Sequence, residues 1–99
     1  MDVNELLQKN EEELFLLIGE ALPKIRGKKN LIERGKEWFK NNKNFLATLI
    51  CPKYQTLKSK SLAEAAVEIA AIIGDAFTGI PALIIAVIIL KTGLKSICE

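Results

Sequence analysis

The chain contains no histidine. That absence removes the Ser–His and Cys–His dyads of nucleophilic catalysis and every metal site built on imidazole. Cysteine is scarce as well. Cys51 and Cys98 stand nearly half the chain apart and lack the paired spacing of a zinc site. Glycines are few and scattered; the stretch RGKKN has one, so no phosphate-cradling loop is present. With one Trp, one Tyr and four Phe, a core must be assembled from Leu, Ile, Val and Ala. No repeat, low-complexity tract or flexible linker interrupts the sequence. What remains is an ordinary globular balance, 49% apolar and 26% charged, over 99 residues. That length suits one domain.

The opening stretch MDVNELLQKNEEE is acidic, where a secretory signal would be basic and then apolar. The expectation is a cytoplasmic protein with free thiols, although spacing alone leaves a Cys51–Cys98 bridge open. Cys51 falls on the polar side of its helical wheel, where an inert structural thiol is the preferred reading over a reactive one.

The net charge of +2 hides a segregation. Residues 1–23 sum to −5, residues 24–60 to +9 and residues 61–99 to −2. A basic block sits between two acidic ones.

Placing side chains at about 100° per residue yields four helical segments, at about 3–22, 31–50, 62–78 and 81–97. In the first, Val3, Leu6, Leu7, Leu14, Leu17, Ile18, Ala21 and Leu22 share an arc opposite Glu5, Glu12, Glu13 and Glu20. Asp2 with Glu5 and Asn10 with Glu13 both have capping-box spacing, so the segment is one helix or two pieces kinked at Asn10. In the second, Leu31, Ile32, Gly35, Trp38, Phe39, Phe45, Leu46, Leu49 and Ile50 keep phase through Asn41-Asn42, and Pro52 ends the run. Trp38 and Phe39 are read as core, with Trp38 at the edge of its arc. Residues 52–60 form a basic loop. Ser61, with Glu64 three residues on, caps the third helix, whose apolar face runs from Leu62 to Phe77. The fourth begins at or beside Pro81; Gly93 either caps it early or marks a close helix contact.

The run Ala82–Leu90 (ALIIAVIIL) carries no polar side chain. A helix apolar all round is a bundle's central helix or part of a membrane span. Nine residues rise about 14 Å against a hydrocarbon core of about 30 Å. Asp75 and Pro81 limit any extension. A central helix is expected, with insertion of the C-terminal hairpin as the alternative.

Two surfaces carry the functional expectation. The basic one comprises Lys24, Arg26, Lys28, Lys29, Lys36, Lys40, Lys43 and Lys53. The acidic one comprises Glu64, Glu68 and Asp75, which fall within about 40° of one another on a continuous third helix. Paired-carboxylate chemistry is a poor fit for the acidic three, because no nucleophile or activator lies near them in sequence; a solvated helix face fits better. The basic block suits an acidic protein partner or a second copy of the chain. Nucleic acid fits less well, since Tyr54 is the only aromatic in a basic loop and stacking platforms are missing.

Two stretches, RGKEWFKNNKNFLATLICP (34–52) and IPALIIAVIILKTGLKSICE (80–99), resemble small all-α accessory modules of bacterial conflict and anti-phage systems. They share a Trp followed by polar residues and an Ile-Cys-Pro helix end, and a very apolar last helix closing on Ile-Cys. The resemblance implies an adaptor without catalysis of its own and carries over no site residues.

Taken together, the expectation is an all-α, compact four-helix bundle, or a death-fold-like five- or six-helix one if the first helices break. Its expected role is a non-enzymatic protein–protein adaptor, with no cofactor, no metal and no small-molecule substrate. A membrane-active protein and a nucleic-acid-binding module are the alternatives.

Overall fold

Asn10 decides the shape of the N-terminal third. In the computed structural model, which describes residues 2–22 and 30–98, its side chain accepts from the Glu13 backbone N–H at 2.9 Å. Its own N–H donates to the Glu13 carboxylate at 3.3 Å. This reciprocal capping box starts a new helix. The expected 3–22 segment is therefore two helices, α1 (Val3–Gln8) and α2 (Glu11–Ala21). The apolar arc is continuous across the break, but local side-chain bonding offers the backbone a better partner there than helix continuation.

α3 (Leu31–Ile50) has the expected bounds, opened by Asn30 accepting from the Glu33 N–H at 2.8 Å. It passes through Asn41-Asn42 unbroken because Asn42 turns its amide onto the Trp38 carbonyl at 2.8 Å, one turn back. Residues 52–60 are not a plain loop. A 3₁₀ turn, Cys51–Lys53, leads into a single-turn helix, α4 (Tyr54–Leu57), anchored by the buried Leu57.

α5 (Leu62–Ile73) is capped by Ser61, which accepts from the Glu64 N–H at 3.2 Å and donates to the Glu64 carboxylate at 2.9 Å. It stops five residues short of the expected 78. Gly74 takes φ +52°, a conformation that side-chain-bearing residues avoid, and its N–H closes the helix on Ala70. Phe77, on the extrapolated apolar arc, instead lies in the connecting segment. Leu62 points along the same arc yet is 60% exposed, at the helix's open end.

α6 (Ala82–Thr92) is the central helix. Six consecutive residues, Ile84 to Ile89, are buried, so it has no solvent face along that stretch. It packs chiefly against α5, then α2 and α1. Burying its five large side chains contributes about 8–15 kcal/mol in gross transfer energy. The expected 81–97 helix is split at Gly93, which has φ +106°, and α7 (Leu94–Cys98) follows. No strand occurs among the described residues, and the protein is all-α.

Two close joints hold these helices. α2 and α3 run antiparallel with backbones nearly touching. A Cβ on Gly19 would overlap the carbonyl oxygen of Leu31, and one on Gly35 would overlap that of Phe15. Beside this crossing Phe15 and Phe39 meet edge to face at 5.9 Å. At the chain's far end Cys51 and Cys98 are joined in a disulfide, with Cα atoms 5.4 Å apart. This replaces the free thiols expected from the sequence. Chain separation gave no hint of the pairing; proximity arises because α7 folds back onto the end of α3 and the 51–53 turn. Closing a loop of 47 residues removes about 4 kcal/mol of unfolded-chain entropy.

Candidate interaction surface

The buried interior contains no polar or charged side chain among the described residues. Nor do three His, Cys, Asp or Glu side chains gather there as a metal cage. α3 carries the lysines Lys36, Lys40 and Lys43 and the aromatics Trp38 and Phe45.

Lys36, Lys40 and Lys43 follow one another at the i, i+4, i+7 spacing of a helical row, within an arc of about 60° and over a rise of about 10 Å. Lys36 and Lys40 are exposed and Lys43 is half-buried. Among the described residues none of the three has a carboxylate partner. Three ammonium groups at this spacing repel one another, so an anionic surface laid along the row gains on both counts. Lys53 is exposed but lies beyond the end of α3, in the 3₁₀ turn, and not on the row. Lys24, Arg26, Lys28 and Lys29 lie outside the described residues.

The expected acidic counter-surface is not assembled as one stripe. Glu64 is occupied at the start of α5 by Ser61. Glu68 pairs with Lys60 at 3.3 Å. Asp75 is exposed past Gly74, after the helix has ended. Glu64 and Glu68 still lie one turn apart on α5, but bringing Asp75 into line required the helix to continue to 75, and Gly74 ends it first. Lys60 is accordingly tied to α5, while Lys58 lies over the Tyr54 ring at 5.5 Å, one turn along the same short helix. The exposed acids without an ion-pair partner among the described residues include Glu5, Glu12 and Glu20, on α1 and α2.

The opposite shoulder of α3 is aromatic, a feature the sequence reading missed. Phe77 inserts between two α3 rings, meeting Trp38 at 4.9 Å and Phe45 at 5.7 Å, both edge to face. Trp38, expected in the core, is thus half-buried at the rim, while Phe39 is core as expected. Phe45 remains 48% exposed. The Trp38–Phe45 spacing of seven residues was the available signal; that Phe77 would reach it depended on the end of α5. Beside this clasp the 74–82 segment lines an open depression of about 570 Å³, with Asp75 and Thr78 as its polar side chains.

No described helix is long and apolar enough to cross a membrane. No family model, curated protein or solved structure matches the chain.

Proposed function

We propose that the chain is a non-enzymatic interaction module that docks an acidic protein surface along the lysine row of α3. The observation carrying this reading is the row itself, with Lys36 and Lys40 exposed and lacking a carboxylate partner among the described residues. An interior apolar throughout the described residues is compatible with it. The resemblance to accessory modules of bacterial defence systems points the same way, toward an adaptor. Insertion of the hairpin into a membrane would require α6 to leave a core in which it is buried from Ile84 to Ile89.

The test is a charge reversal, Lys36→Glu with Lys40→Glu. Both positions are exposed on one helix, so circular dichroism and melting temperature should stay close to wild type. Association, measured by light scattering for self-assembly and by titration against a captured partner, should fall at least tenfold and weaken with salt in the wild type. Equal association by both proteins would refute the reading. A wild-type shift of DNA or RNA mobility at low salt, lost in the variant, would assign the row to nucleic acid instead.

A further inference from the structure

α7 is a short, partly packed helix whose last residue is fixed by a covalent bond. It spans five residues, Leu94–Cys98, well below the roughly 12–15 needed for a helix to persist alone in water. It is separated from α6 by Gly93, whose φ of +106° interrupts the helix and supplies a swivel. Of its side chains only Ile97 is buried; Leu94 and Cys98 are half-covered, and Lys95 and Ser96 are exposed. It lies across the end of α6, the end of α3 and the 51–53 turn. Near those ends, Ile50 of α3 and Ile89 of α6 are both fully buried. Its fifth residue is Cys98, joined to Cys51.

We propose that the Cys51–Cys98 bond is a redox-sensitive latch, opened by a cellular dithiol, that holds α7 over the apolar end of the α3–α6 pair. Both half-cystines are partly exposed, so an incoming thiolate can reach them. The reductant's thiolate attacks one sulfur and forms a mixed disulfide, while the other sulfur leaves as a thiolate. The reductant's second thiolate then attacks the mixed disulfide. Cys51 and Cys98 end as two thiols and the reductant ends as a disulfide, with two electrons and two protons transferred. Freed of the bond, a five-residue helix with one buried side chain swings out on Gly93. Oxidation by a disulfide of the same class closes the latch again. The remaining helices keep their own packing, because the α2–α3 crossing and the α5–α6 contact involve neither cysteine.

Hydrogen–deuterium exchange on the whole chain, oxidised and after dithiothreitol, tests this. Reduction should bring exchange at residues 94–98 to the rate of unstructured peptide, while α2, α3 and α5 remain far slower than that rate even after the fold loses the bond's share of its global stability, and re-oxidation with oxidised glutathione restores the first pattern. Binding of the apolar dye ANS should rise in parallel. Unchanged exchange at 94–98 would overturn the proposal, because α7 would then stay docked without the bond. Exchange at unstructured-peptide rates throughout the molecule would overturn it too, because the fold would then not stand without the bond. The variant Cys51→Ser with Cys98→Ser should show the reduced pattern without reductant, and an oxidised-like pattern in that variant counts against the latch.

Discussion

Replacing Gly19 or Gly35 by alanine reverses a familiar sign. Inside a helix, glycine-to-alanine usually stabilises by about 0.5–1 kcal/mol, because alanine has less backbone freedom to lose. Both positions are helical, in α2 and α3, so propensity alone predicts a gain. The crossing predicts the opposite. At each position the new methyl meets a backbone carbonyl of the facing helix, Leu31 for Gly19 and Phe15 for Gly35. A side chain could rotate aside; a carbonyl held in a helix cannot. The helices must therefore separate by roughly 1 Å, forfeiting dispersion contacts along the seam. The 5.9 Å edge contact of Phe15 with Phe39 loosens with them. Overpacking of this kind costs about 3 kcal/mol at its upper range. Setting about 1 kcal/mol of propensity gain against it leaves a net loss of about 2 kcal/mol. For a domain of this size that lowers the melting temperature by about 8–16 °C. Thermal and urea unfolding followed at 222 nm measure it. Ala71→Gly, at an exposed position within α5, is the control and should lose about 1 kcal/mol by propensity alone. The double variant should lose less than the sum of the singles, because the first methyl already parts the helices. A melting temperature at or above wild type for either single variant would refute the close crossing.

Two smaller perturbations address other joints. Asn10→Ala removes the side-chain arm of the α1–α2 capping box, leaving the backbone N–H of residue 10 to the Glu13 carboxylate, and should destabilise by about 1 kcal/mol, read as a lower urea midpoint with unchanged slope; no change would mean the break has another cause. Phe77→Ala removes both edge contacts to α3, each worth about 0.5–1.5 kcal/mol. Because Trp38 is the only tryptophan, its emission should shift to the red in the folded variant, and unaltered emission would show that Phe77 does not cover the indole.

Periodicity and local capping chemistry are visible in one dimension, and the elements that depend on them could be read from the chain. α3 has its expected bounds because its apolar phase survives Asn41-Asn42 and both ends carry strong signals, Asn30 and Pro52. The lysine row followed from the same phase. The burial of α6 followed from a run without polar atoms. Contests between two local signals were harder to settle. At Asn10 an unbroken arc competed with a capping box, and the side-chain bond won. At Gly74 the arc pointed to Phe77, but the backbone angle ended the helix first, and the acidic stripe fell apart with it. Features made only by tertiary proximity left no trace in the chain: the Cys51–Cys98 bond, the Phe77 clasp, and the role of Gly19, which looks in sequence like an ordinary helix weakener.

The central position of α6 also orders events during synthesis. α1 and α2 pack against a helix that appears roughly 70 residues later, which at about 5–20 residues per second is a wait of about 4–14 s. Until then α2 and α3 can close the glycine crossing, but α1, α2 and α5 lack the neighbour they share. A nascent chain in that interval is a natural client for a chaperone, and ribosome-bound chains halted before Pro81 should bind one where chains extended past Thr92 do not.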